Sequence, residues 1–279
     1  MPRFASSWFP LIAVLMLAGV AANAAPIEFK DHGKPVTTLE SAEISKKFGA
    51  RSVKVLDPHE NAEISFSGVP LIAVLDAVFG AKWKEAEEIV FRCADGYKAS
   101  ATTSRIKEHK GWLATSREGR PTFTITGHNP KPSEIVVGPL YLIWDSLNDA
   151  EIRAEGERGW PYQIVAIELT SFAELYPGLA LPKTLASASV KKGFAHFRKY
   201  CLHCHALNGQ GGKVGPELNY PVSITEYYRE PWLAKWIQTP SKIREGTSMP
   251  IVLPQDAEGN RIAREIIVYL KAMSKNKTY

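Results

Sequence analysis

Cys201-Leu202-His203-Cys204-His205 sets two thiols three positions apart, with an imidazole directly after the second. That spacing suits covalent attachment of a c-type haem. On an opening helical turn each thiol can add to one vinyl group of the porphyrin, and His205 then lies under the iron as proximal ligand. The same five residues could instead form a disulfide, a redox-active C-x-x-C, or half of a zinc site with His203 and His205 as further donors. A four-ligand zinc site wants a second pair of donors, and no Cys or His follows His205. The expected cofactor is therefore one covalent haem on Cys201 and Cys204.

The start of the chain supplies the setting. Met1-Pro2-Arg3 is a short basic beginning, Phe9 to Ala22 is apolar apart from Pro10 and Gly19, and Ala22-Asn23-Ala24 is a small-x-small cleavage site. Residues 1–24 are read as a signal peptide, with a mature chain beginning at Ala25. The apolar run falls short of the roughly 20 residues that span a bilayer. An exported, periplasmic protein with no membrane span is expected, matured by a haem-attachment machinery. Loss of 24 residues leaves 255, enough for two cores. With two of the three cysteines taken by haem, Cys93 has no intramolecular partner, so disulfides do not hold the chain together.

The elements that must position the pentapeptide follow from punctuation and period. Tyr176-Pro177-Gly178-Leu179-Ala180-Leu181-Pro182 interrupts both helix and strand periodicity, which places a linker over about 173–186. Residues 25–172 before it read as a strand-rich domain. Ser52–Leu56, Glu88–Cys93, Thr122–Thr126, Glu134–Val137, Tyr141–Trp144 and Gln163–Leu169 are enriched in β-branched and aromatic residues. Residues 187–279 read as helical. Ser187 or Ser189 caps a helix whose Val190, Phe194 and Phe197 form one stripe leading into Cys201. Pro231 suits a first helical position, with Trp232, Leu233, Trp236 and Ile237 following and Pro240 ending the helix. The indoles, Trp232 among them, are expected to line or shield a haem pocket. Ile262, Ile266, Tyr269, Leu270 and Met273 repeat helical spacing over three turns, and this last helix is expected to cross the first.

After signal cleavage only Met249 and Met273 remain, and Met273 sits on an apolar helical stripe where a core role is the default. Met249 lies in a Gly/Ser/Pro loop, which can bring a thioether to iron. His/Met ligation fills both axial sites and favours electron transfer over oxygen chemistry.

Residues 187–279 resemble class I cytochromes c. The resemblance rests on Gly193 and Phe197 ahead of the pentapeptide, on Gly211-Gly212-Lys213-Val214-Gly215-Pro216-Glu217-Leu218, and on Gly246-Thr247-Ser248-Met249-Pro250. It implies an all-α domain in which His205 and Met249 are the axial ligands and the segment around Pro216 packs on the haem and supports the proximal His.

Residues from about 26 to 170 are similar to the molybdopterin-binding fold of the sulfite oxidase family, especially its small exported members. The segments concerned are Phe66-Ser67-Gly68-Val69-Pro70-Leu71 with the apolar helix to Gly80, Ala94-Asp95-Gly96-Tyr97, Gly138 to Ile143 and Trp160 to Leu169. The resemblance implies a mixed α+β domain. Catalytic members hold molybdenum through a Cys ahead of the Gly-Val-x-Leu segment, and no Cys precedes Gly68 here. Giving that role to Cys93 would break the motif order. Arg92, Arg105, His109 and His128 are scattered and read as solvated or satisfied residues. The domain is taken as degenerate, without a molybdenum cofactor.

Residues 26–179 carry 18 Lys and Arg against 22 Asp and Glu, and residues 180–279 carry 15 against 7. A basic haem-bearing half suits an acidic face on a redox partner. No Gly-rich nucleotide fingerprint is present. Lys82-Trp83-Lys84 is too brief for nucleic acid, and Asp145, Asp149, Glu151, Glu155 and Glu157 around Asn148 read as a solvated loop. The expectation is an exported electron carrier, not an enzyme, whose first domain helps to dock the partner. The competing expectation is a single-chain haem–molybdenum enzyme oxidising a small anion such as sulfite.

Overall fold

A computed structural model describes residues 26–127, 131–179, 181, 184 and 186–278. The expected signal peptide, His128 and four positions of the expected linker lie outside the described residues. The fold is mixed α/β.

The chain opens with the hairpin β1 (Pro26–Asp31) and β2 (Lys34–Glu40), then α1 (Ser41–Lys47), β3 (Arg51–Asp57), β4 (Ala62–Pro70) and α2 (Leu71–Phe79). It continues through β5 (Glu88–Cys93), β6 (Lys98–Thr102), α3 (Thr103–Glu108), β7 (Gly111–Arg117), β8 (Thr124–Gly127), β9 (Ser133–Val136), β10 (Tyr141–Trp144), α4 (Ala150–Ala154) and β11 (Ile164–Thr170). One sheet has the order β2-β1-β11-β5-β6 and a second the order β10-β7-β4-β3. β1 and β11 pair in parallel, Phe29 opposite Ile167, so both ends of this stretch lie side by side at mid-sheet. Parallel neighbours need a long crossover. Here everything from β2 to β10 serves as that crossover. Inward residues of both sheets form one apolar cluster from Ile27 to Leu169, including Phe29, Phe66, Phe91, Tyr141 and Trp144.

Five of the six expected strands match an observed strand closely, and the sixth overlaps β8, which begins at Thr124 rather than Thr122. β1, β2, β4, β6 and β7 carry strands that composition did not reveal. β2 is an exposed edge with only Leu39 buried, and β4 ends in Gly-Val-Pro, which reads locally as a turn.

The rest of the chain is α5 (Phe172–Leu175), α6 (Ala188–Tyr200), β12 (Ala206–Leu207), β13 (Gln210–Gly211), α7 (Ile224–Tyr227), α8 (Glu230–Gln238), α9 (Pro240–Ile243) and α10 (Ala257–Ser274). β12 and β13 form a small antiparallel ladder, a departure from the all-α expectation for this stretch. A second apolar cluster runs from Phe172 to Met273, so part of the segment read as linker packs into a core. Ser187 caps α6 by accepting from Val190 N–H at 3.4 Å, and Pro231 stands in the first turn of α8. α6 and α10 cross in backbone contact. A Cβ on Gly193 would lie 2.0 Å from the Glu265 carbonyl oxygen, and Phe194 and Phe197 meet the Tyr269 ring at 5.3 and 5.2 Å. Among the described residues no helix is long and apolar enough to cross a membrane.

The two clusters are joined by a buried charge. Arg198 of α6 pairs with Glu88, which is 1 % exposed, reaches Glu87 at 3.2 Å and lies 3.9 Å over the Phe172 ring. Burial raises Glu88 above the usual carboxylate range although Arg198 pulls the other way.

Gly193→Ala is expected to destabilise the protein by about 1–3 kcal/mol in urea unfolding. Alanine's helical advantage of about 1 kcal/mol opposes this, but the backbone clash prevails because no flexible side chain can yield. Arg198→Ala should cost about 3–5 kcal/mol at pH 7, because Glu88 is left buried and charged. A raised carboxyl loses stability as pH rises through its folded pKa, so the loss should be smaller at pH 4, where Glu88 can protonate.

Candidate functional site

Cys201 caps α6 by donating its N–H to Phe197 O at 2.9 Å, and the chain then turns tightly. Cys204 and His205 N–H groups both return to Cys201 O, at 3.1 and 2.9 Å, which puts the two thiols on one turn. They are not bonded to each other, and both residues are half-buried. Cys201 packs against the helical cluster, and desolvation, helped by neighbouring Cys204, pushes its thiol up to about 12.

The following residues fold back over this turn. Asn208 and Gly209 have φ of 54° and 73°, the pair of positive values that a two-residue hairpin turn requires, and they join β12 to β13. The Glu217 carboxylate gathers the loop by accepting from the N–H groups of Asn208, Gly209, Asn219 and Tyr220 at 2.7–3.1 Å. Asn219, fully buried, ties it to the end of α10 by donating to Asn208 Oδ1 and Met273 O. The glycine-rich stretch is thereby laid directly on the pentapeptide. Gly212 N–H reaches Leu202 O at 2.9 Å and Gly215 N–H reaches Cys204 O at 2.7 Å. A Cβ on Gly212 would stand 1.9 Å from His203 O, and one on Gly215 would stand 2.4 Å from His205 Cε1. Only glycine permits these approaches.

His205 Nδ1 lies 2.8 Å from the Pro216 carbonyl oxygen. A carbonyl only accepts, so Nδ1 carries a proton, and in the neutral imidazole this leaves the lone pair on Nε2. A carbonyl behind one ring nitrogen is the usual support of a metal-bound His. His205 and Pro216, both expected at the site, are thus in direct contact. Trp232 is 55 % exposed on α8 with Lys235 Nζ 4.8 Å from its ring, and Met249 is half-buried with its N–H on Thr247 Oγ1 at 3.2 Å. Among the described residues, no hydrogen bond or ring contact joins either of them to the pentapeptide. No three His, Cys, Asp or Glu side chains converge as a metal-ligand set there either.

The first part of the chain also touches the pentapeptide. Tyr97 Oη lies 3.3 Å from His203 Nδ1, with the rings 6.3 Å apart and nearly perpendicular. Although the Tyr97 ring is 43 % exposed, desolvation around its hydroxyl end, near Tyr176, Cys93 and Cys204, raises the phenol to about 12. The sequence placed Tyr97 only in the Ala94–Tyr97 segment of the molybdopterin-fold resemblance and did not single out Arg198. Asn208-Gly209 was the one local signal that could have located the return loop.

The remaining expected residues are accounted for by pairing. Arg92 holds Glu168 at 2.8 and 2.5 Å, Arg105 holds Glu155 at 2.6 Å, and His109 holds Asp149 at 2.6 Å. Each is held in an ion pair with a carboxylate, although Arg105 Nη2 is buried without a hydrogen-bond partner among the described residues. The acidic cluster is divided among these partners, with Glu151 3.8 Å from Lys199 and Glu157 3.7 Å from His59. Trp83 is buried, its indole donating to Asp76 at 2.8 Å, which removes the Lys-Trp-Lys run from consideration as a nucleic-acid surface.

Comparison with protein-family models finds no match, and neither does comparison with curated proteins.

Cys93 is 6 % exposed, and burial, reinforced by Asp95, raises its thiol to about 12. It should alkylate with iodoacetamide at pH 8 on the order of a hundredfold more slowly than a free cysteine peptide. The loss of thiolate is partly offset by greater nucleophilicity. Mass-spectrometric time courses check this, and rapid labelling of folded protein would contradict it.

Proposed function

We propose that this chain is an exported electron-transfer protein with one haem attached covalently through Cys201 and Cys204, exchanging electrons with a separate redox protein. The observation that carries the reading is the His205 imidazole. It is backed by Pro216 O at 2.8 Å and held flat against Gly215, with Nε2 left as the donor. The donor set fits a haem iron: an oriented imidazole, two unpaired thiols on the same turn, and a loop methionine, Met249. When bound, the haem would supply a one-electron couple whose potential a thioether ligand raises. The residues of the chain would do the rest. Pro216 would fix the tautomer and orientation of His205, Cys201 and Cys204 would tether the group, and Met249 would supply a thioether ligand. Trp232 would shield an edge of the pocket.

No residue is assigned to bond-making catalysis. The molybdenum reading is not favoured, because the resemblance places the metal-binding Cys ahead of the Gly-Val-x-Leu segment and no Cys precedes Gly68. On this reading residues 25–172 form a strand-rich domain that resembles the molybdopterin-binding fold but lacks its metal, and 187–279 form the cytochrome domain. Covalent attachment fits an exported location after removal of residues 1–24. The basic balance of 180–279 fits a partner with an acidic face.

Protein expressed with an export and haem-attachment system, with molybdenum supplied, should contain one iron and no molybdenum per chain. Near-equal amounts would establish the haem–molybdenum enzyme instead. Met249→Ala should abolish the weak sulfur-to-iron band of the oxidised protein. It should also lower the reduction potential by at least about 59 mV, a tenfold change for one electron. An unchanged spectrum would remove Met249 as ligand.

A further inference from the structure

The β5–β6 hairpin grips the second part of the chain at two places. At the start of β5, Glu88 and its neighbour Glu87 hold Arg198, three residues before Cys201. Beyond its end, a tight turn presents Tyr97. Cys93 N–H bonds Tyr97 O at 2.8 Å, Gly96 N–H bonds Cys93 O at 3.0 Å, and Tyr97 N–H bonds Asp95 Oδ1 at 2.8 Å. Gly96 takes φ +87°, which lets this turn close. Tyr97 is therefore delivered from a fixed backbone to His203, between the two attachment cysteines.

His203 is held from two sides. Gly212 presses on its carbonyl from the return loop, and the Tyr97 hydroxyl meets its ring from the first part. We propose that Tyr97 is a positioning residue for the redox centre: through its hydroxyl contact with His203 it immobilises the turn that carries His205, so the first part of the chain sets the haem's reduction potential. This rests on the haem reading above. It gives residues 26–170 a role at the redox site itself, in addition to partner docking.

The chemistry behind it is exclusion of water and restriction of movement. Tyr97 Oη meets His203 at a solvent-exposed contact, and losing the hydroxyl would free the His203 ring, loosen the turn and admit further solvent. Water stabilises the more highly charged ferric state, so the potential should fall when this contact is lost. Tyr97→Phe keeps the perpendicular ring packing and removes only the hydroxyl, which separates positioning from mere interface filling.

The test uses full-length, haem-loaded protein as wild type, Tyr97→Phe, His203→Phe and the double variant, with haem per chain and midpoint potential measured for each. Haem content should be unchanged throughout. Tyr97→Phe should lower the potential so that the ferric-to-ferrous ratio at fixed potential rises threefold to tenfold, up to about 59 mV. The double variant should fall no further than His203→Phe alone, since both remove one contact. A wild-type potential in Tyr97→Phe, or strictly additive shifts, overturns the proposal and leaves the haem reading standing. Loss of haem in Tyr97→Phe alone would assign Tyr97 to folding and also overturn it. Absence of haem from the wild type would overturn the functional reading, and this one with it.

Discussion

The approach of residues 211–216 to the Cys201–His205 turn is the constraint around which residues 186–278 are arranged. The gaps it leaves are too small for any Cβ at Gly212 or Gly215, and it puts the Pro216 carbonyl at hydrogen-bonding distance from His205. Such a contact survives only if the loop cannot drift. Its hold comes from polar groups: Glu217 satisfies four backbone N–H groups, and buried Asn219 fastens the loop to Met273 O at the end of α10. α10 in turn lies on α6 with Gly193 at the crossing, and α6 delivers Cys201. Both sides of the site are therefore referred to the same helix pair, and a shift of α10 against α6 would move the turn and its cover together. The buried hydrogen bonds donated by Asn219, together with those accepted by Glu217, favour a single geometry for this arrangement.

Arg198 extends that frame to the strand-rich part. A carboxylate as buried as Glu88 is unfavourable alone, and burial keeps its pKa raised even with the guanidinium beside it. The pair thus adds little net stability over an apolar contact, but it selects one alignment of α6 against β5, because any other would leave Glu88 without its cation. Tyr97 repeats this alignment beyond the other end of the same strand. Two contacts, one at the start of β5 and one in the turn beyond its end, fix an orientation where a single contact would permit rotation.

What could be read from the chain divides along the range of the interactions. The pentapeptide, the Ser187 cap, the α6 stripe of Val190, Phe194 and Phe197 and the α10 stripe are local, set by spacings of three or four residues, and each lies where spacing places it. The glycines of 211–215 were visible as residue types. Their meaning was not, because a glycine's reason lies in what it approaches, and His203 and His205 are reached only through a hairpin. Strand β1 was hidden because it begins beside the expected cleavage site, and β2 because an edge strand needs no apolar alternation. Glu88, Tyr97 and Arg198 have no local signature at all: they are defined by partners more than a hundred positions away.

Those long-range pairs also alter the meaning of the charge asymmetry. Counted by segment, the chain is acidic before residue 180 and basic after it, which suggests a basic half offered to an outside partner. Part of that opposition is satisfied within the molecule, since Arg198 is taken by Glu87 and Glu88 and Lys199 lies near Glu151. Lys271 and Lys277 are likewise held, by Glu230 and Glu226. Among the described residues, the basic side chains without carboxylate partners include Lys213, Lys242 and Arg244, all exposed, with Lys213 beside Val214, Lys242 in α9 and Arg244 at the start of the loop that contains Met249. Steering by them would act over about one Debye length, roughly 10 Å at 0.1 M salt, and so would be felt only where the partner meets these loops. The internal pairs orient the two parts of the chain, and the loop charges remain available for an encounter.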